Sequence, residues 1–243
     1  MFPIVYVSSF SGNVGKTTIT KNLLVPNMKN ISVIAVEDVN AGYNQGEAVQ
    51  LTAAETASIL ELVLATAMER PVVVDVGASN VSNFFAALAG YDGIHEFIDR
   101  VIVPAEPSDK VQTDTVSTLH YLIDKLGFDA SKIMLLLNKV PTKRTSDAVF
   151  GNLMNEAAGM GVLTYGEIPE SDTFALAASM KKSIYDLAAM DPKKLLAESQ
   201  LVAASGKDPK AGVRNMLAAT SAKKLKVRLD EIFEALGIPE GEV

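Results

Sequence analysis

The chain has 243 residues, 48% of them hydrophobic and 21% charged, with a formal net charge of −7 and no cysteine. That length suits one α/β domain with a sizeable core. The missing cysteines exclude a disulfide framework and thiolate metal sites, which fits a reducing cytosol, and no apolar run approaches the ~20 residues of a membrane span.

The chain opens on an apolar strand, Ile4–Ser8, without the basic leader of a signal peptide. A loop follows, SFSGNVGKTT, and delivers Gly15-Lys16-Thr17-Thr18 onto a helix expected from about Lys16 to Leu24. Strand, glycine-bearing loop and helix start together form a receptor for a nucleotide triphosphate. Backbone N–H groups of Ser11, Gly12, Asn13, Val14 and Gly15, with the positive end of the helix dipole, receive phosphate oxygens. Lys16 reaches the outer phosphates, Thr17 ligates Mg²⁺ through its hydroxyl, and Thr18 completes the cradle. The loop departs from G-x-x-x-x-G-K-[ST] at Phe10, where glycine is called for. Asn13 suits a left-handed position better than most residues.

A second strand, Ser32–Val36, ends in Glu37-Asp38, and Glu37 is the first choice for orienting an attacking water. Ala53–Met68 reads as a helix. Pro71–Val76 is near-continuously apolar, as a strand buried on both faces should be, yet it ends in Asp75 and Gly77. An aspartate at a buried strand end needs a metal or hydrogen-bond partner, so Asp75 is assigned to Mg²⁺. Helices at Val81–Ala89, Ser108–Leu126 and Ala148–Gly159 alternate with strands at Val101–Val103, Ile133–Leu137 and Thr164–Ile168. The alternation predicts right-handed βαβ units and a doubly wound, mostly parallel sheet with helices on both faces, its ligand beyond the carboxyl ends of the strands. Asn138, following the strand Ile133–Leu137, carries the donor and acceptor that adenine recognition requires. Lys139 continues the start of the guanine-reading N-K-x-D pattern, but Pro141 replaces its aspartate. The two histidines, His95 and His120, stand in unrelated segments and offer no zinc site.

From Asp191 the texture turns to Ala, Leu and Lys, which sets a helical C-terminal extension (191–243) apart from a nucleotide-binding domain (1–190). Ser205–Pro209 reads as a break, and Leu225, Leu229, Ile232 and Leu236 form an amphipathic stripe that packs on the domain or on a partner. Residues 181–228 hold eleven Lys/Arg against four acids, a surplus of seven positive charges, so the remainder carries a net −14. Such polarity points to an anionic partner, DNA included, or to solvated helix faces. Glu231, Glu234, Glu240 and Glu242 argue against an anionic membrane surface.

In this order the phosphate loop, VVVDVG, LLLNKVP and GEIPESDTFALAASMKKSIYDLA resemble the ParA/MinD branch of the SIMIBI-like P-loop ATPases. SGNVGKTT, AVEDVN and VVVDVGASN with HEFIDRVIVPAEP are similar to the StbB plasmid-stability proteins. The resemblance implies ATP/ADP and Mg²⁺ binding, a homodimer formed on ATP, a cytoplasmic role in plasmid stability and conjugative transfer, and a DNA-binding partner protein or conjugation machinery. It also implies that Asn138 and the loop at Pro169 hold the base. The chain departs from the family where Ser11 replaces a second, early loop lysine, and where Glu37 and Val39 replace an Asp-x-Asp pair. Loss of one charge-stabilising group costs about 10²–10³ in rate, so slow or partner-stimulated hydrolysis is expected. A DNA-holding adaptor without hydrolysis and an ATP-dependent small-molecule ligase on the same fold are the alternatives.

Overall fold

The computed structural model describes residues 1–36, 49–51 and 56–239; Glu37 and Asp38 lie outside them. Among the described residues seven strands form one sheet: β1 (Ile4–Val7), β2 (Ser32–Val36), β3 (Val49–Leu51), β4 (Val72–Val76), β5 (Arg100–Ala105), β6 (Ile133–Val140) and β7 (Leu163–Pro169). Their order is β3-β2-β4-β1-β5-β6-β7, and every described pair is parallel. The sequence reading expects six strands. The seventh, β3, is a three-residue edge strand, too short to show a period.

β1 lies at the centre because the chain winds from it toward one edge through β2 and β3, returns at β4, then runs to the other edge through β5, β6 and β7. The strands are apolar on both faces because helices cover both. Ile4 and Tyr6 of β1 join one cluster with α2 (Thr56–Ala67), α3 (Val81–Ala89), α4 (Asp109–His120) and α5 (Ser146–Gly159). Val5 and Val7 face the other cluster, with α1 (Lys16–Ile19), α6 (Asp172–Ser179), α7 (Ile184–Ala188) and α9 (Lys210–Leu236). α8 (Pro192–Ala204) packs beside α9 and is mostly exposed.

Two helices leave the α register. α1 continues as a π-helical segment, Thr20–Leu24, and α4 as another, Tyr121–Lys125. The expected break at Ser205–Pro209 falls between α8 and α9. α9 is longer than its stripe suggested, and Leu225, Leu229, Ile232 and Leu236 are buried with β1 and β7 residues. Each such side chain contributes roughly 1.5–3 kcal/mol, against at most about 1 kcal/mol for an exposed ion pair such as Lys226–Asp230, so apolar burial holds α9 to the sheet. Gly166 permits this approach, since a Cβ there would lie 2.7 Å from Ile232 Cγ1.

Candidate functional site

The loop between β1 and α1 lies at the carboxyl end of the central strand, where the direction of winding reverses. Its backbone carries two left-handed residues, Asn13 at φ 58° and Gly15 at φ 91°, on either side of Val14. Alternation of this kind turns successive N–H groups toward one concavity, an anion-binding arrangement. Glycine is required at 15: besides the positive φ, a Cβ would overlap the Asn138 amide nitrogen. At Gly12 a Cβ would meet, among the described residues, only Ala78 Cβ at 3.9 Å.

Strand β6 holds the loop in this shape. Asn138 Nδ2 donates to the Val14 carbonyl at 2.8 Å and Lys139 Nζ to the Asn13 carbonyl at 2.9 Å. Two successive loop carbonyls are thereby tied to β6. The sequence reading assigns Asn138 to a base edge; the structure buries it to 6% exposure with its amide nitrogen on the loop. Both residues lie inside β6, which runs to Val140 rather than ending at Leu137, with a register shift between these two.

On the opposite flank Thr17 Oγ1 donates to Asp75 Oδ2 at 2.8 Å. Asp75 is 3% exposed, and β4 is paired directly to β1, which places the acid beside the helix start. Hydroxyl and carboxylate oxygen form the hard donor set that Mg²⁺ takes, with water and phosphate oxygens supplying the remainder. Lys16, 7% exposed, donates through Nζ to the Ser11 carbonyl at 2.9 Å. Its ammonium therefore curls over its own loop.

The irregular positions have structural partners. The Phe10 ring meets Phe85 and Tyr121 edge-on, each at a centroid distance of 5.7 Å. Its amide donates to Thr118 Oγ1 at 3.2 Å. Ser11 Oγ donates to Asp114 Oδ2 of α4. Position 10 thus anchors the outer limb of the loop to the body, and position 11 ties it to a helix.

A cavity of about 740 Å³ opens over the loop. Its walls come from Gly12, Asn13, Gly15, Lys16, Thr17 and Thr18, from Ala78 and Ser79 after β4, from Asn138 and Lys139, and from Pro169, Glu170, Ser171, Asp172, Phe174 and Ala175 around the start of α6. An adjoining cleft of about 770 Å³, between the α1 segment and α6–α7, shares Thr17, Thr18 and Phe174. The sequence-derived residues Gly12, Asn13, Gly15, Lys16, Thr17, Thr18, Asn138 and Pro169 therefore meet at one cavity, with Asp75 joined through Thr17. Ser11 and Val14 stand behind it as backbone and core, and Glu37 is outside the described residues. Sequence reasoning assigned no role to Lys139, Glu106 and Asp114; only the pairing of distant segments brings them to the loop.

A polyphosphate and Mg²⁺ fit these residues, on the grounds of the cradle at Gly12 and Gly15 and the Thr17–Asp75 oxygens. Among the described residues no helix is long and apolar enough to cross a membrane.

No family model matches the sequence, and no curated protein matches it. The fold has solved counterparts. The ATP complex of a McdA variant from Cyanothece is 14% identical, with a TM-score of 0.58 over 100% of this chain and 99% of that one. The septum site-determining protein MinD of Pyrococcus horikoshii, solved with Mg-ADP, is 14% identical, with a TM-score of 0.52 over 95% and 96%. A protein described as a plasmid partition protein of Borrelia burgdorferi, bound to AMPPNP, is 15% identical, with a TM-score of 0.50 over 92% and 100%. The chain has the MinD/ParA-type P-loop fold.

Proposed function

We propose that this chain is an ATP-binding switch with slow or partner-stimulated hydrolysis, acting in plasmid stability and conjugative DNA transfer. The observation that supports it most is the Thr17–Asp75 hydrogen bond beside Lys16 and a loop with left-handed residues at 13 and 15. That combination suits a magnesium–triphosphate, with hydroxyl and carboxylate oxygens for the metal and loop N–H groups for the phosphates. The solved relatives with ATP, Mg-ADP and AMPPNP support the same ligand class. The partition role rests on the Borrelia protein's description and on the StbB resemblance, and the conjugative role on the latter alone.

Each residue then has a task. N–H groups of the loop and of α1 receive the β-phosphate oxygens. Lys16 leaves the Ser11 carbonyl for the outer phosphates, an exchange of one acceptor for a charged one. Thr17 and Asp75 would hold Mg²⁺ through their oxygens, and the metal would supply neutralisation of phosphate charge. Asn138, through its amide oxygen, and the Pro169 loop flank the base. Glu37 orients the attacking water. ATP brings two copies of the chain together, and the loops after β2 and β4 carry the nucleotide state to a DNA-binding partner protein or the transfer machinery. Phosphate release by wild type at saturating ATP and Mg²⁺ is expected to be slow; the same background rate with and without protein would leave a binding-only switch and remove hydrolysis.

A second reading, an adaptor that itself holds DNA, is favoured by one observation: Lys193, Lys194, Lys207, Lys210, Arg214, Lys223 and Lys224 are all exposed on α8, α9 and the turn between them. Retention of duplex DNA would then fall steeply as salt is raised, by counterion release. A flat salt response would remove it.

A further inference from the structure

Among the described residues lining the phosphate cavity, two are cations, Lys16 and Lys139. Lys139 is the less expected. It sits in β6 with φ 53°, a left-handed backbone that lysine rarely adopts, at the point where β6 and β7 lose register. The bend aims its side chain at the loop rather than along the strand's alternation: Nζ reaches the Asn13 carbonyl at 2.9 Å and Glu106 Oε2 at 2.5 Å. Glu106 directly follows β5, and its side chain is 19% exposed against 45% for Lys139. An ammonium has three donors, and these bonds account for two. The arrangement is a cation at the rim of a cavity that Glu170 and Asp172 also line, and it is paired directly with the Glu106 carboxylate.

We propose that Lys139 is a second phosphate-binding cation of this site, supplied within the same chain, and that Glu106 sets its strength by competing for it. The inference rests on the nucleotide reading above. A polyphosphate entering the cavity offers Lys139 an acceptor of higher charge than Glu106, so the ion pair loosens as the ligand gains phosphates. Glu106 in turn repels the same anion, which lowers affinity most for the most highly charged ligand. The pair therefore grades affinity by phosphate number, and the grading depends on two residues with opposite effects.

The test is equilibrium binding of adenosine, AMP, ADP and ATP with Mg²⁺ to wild type, Lys139→Met, Lys139→Arg, Glu106→Gln and Lys16→Ala, with thermal unfolding of each protein alongside. Lys139→Met is expected to weaken ATP about tenfold, ADP less and adenosine not at all. Lys139→Arg retains most of the affinity. Glu106→Gln is expected to tighten ATP about threefold, since the competitor is gone. If Lys139 merely braces the loop, Glu106→Gln weakens ATP together with Lys139→Met, and the proposal is overturned. Equal loss for adenosine and ATP overturns it as well, as does wild-type affinity in Lys139→Met while Lys16→Ala has lost binding. No binding of any phosphorylated ligand by wild type would instead sink the nucleotide reading itself.

Discussion

Gly15 is the residue on which the loop's shape depends most. It carries φ 91° and lies against the Asn138 amide, so an added methyl meets two penalties at once. Gly15→Ala is expected to destabilise the fold by about 2–3 kcal/mol, part from the left-handed backbone and part from displacing Asn138 off the Val14 carbonyl. Chemical denaturation measures that loss, and nucleotide affinity should disappear with it; a variant as stable as wild type with unchanged affinity would contradict the geometry. Gly15, Lys16, Thr17 and Asp75 were legible from sequence because the chemistry is written in consecutive residues or at the end of an unmistakably buried strand. Lys139 and Glu106 were not, because their contact joins segments 33 residues apart and depends on a backbone bend that residue types do not announce. Asn138 lies between these cases. Its amide was noticed, but a residue type cannot say which atom of the loop it meets.

At the scale of elements, α1 and its π-helical continuation join the phosphate loop to α7 and α9 on the same face of the sheet. Asn22 accepts from the Ile184 amide at 2.8 Å, and Asn27 donates to the Tyr185 hydroxyl, which donates in turn to Asp230 of α9 at 2.6 Å. Partial burial pushes the Asp230 carboxyl up, but the Lys226 ammonium and the Tyr185 hydroxyl outweigh it and hold it below the usual carboxylate value. A carboxyl depressed in the folded state stabilises fully above the unfolded value of about 3.9, and that stabilisation is lost as pH falls through the lower folded value. Asp230→Asn should therefore cost about 1 kcal/mol at pH 7, and the difference from wild type should shrink below about pH 4. Denaturation of both proteins across that range checks the sign; a difference that grows on acidification would contradict it. The stripe on α9 was visible as spacing, and its place against β1 and β7 was not, since amphipathic periodicity shows that a face is covered without showing by what. The two π segments left no sequence signal, because their register is set by packing rather than by propensity.

Over the whole molecule, the alternation of apolar strands and helices was enough to foresee a doubly wound parallel sheet, and the reversal of winding at β1 explains why loop, acid and amide converge at one end. The charge is divided as well, with a basic surplus in 181–228 set against an acidic remainder. The exposed cations of α8 and α9 and the phosphate cavity stand on elements joined by the α1–α7–α9 contacts. The phosphate cavity is proposed to take a magnesium–nucleotide. Equilibrium binding of ATP with and without Mg²⁺ to wild type and to Lys16→Ala tests this most directly, with thermal unfolding of the variant alongside, because removing Lys16 also strips the Ser11 carbonyl of its donor. Wild type should bind ATP more tightly with Mg²⁺, and the variant should lose at least tenfold in affinity. Equal affinity in the two proteins, or no ATP binding by wild type under either condition, would contradict the account.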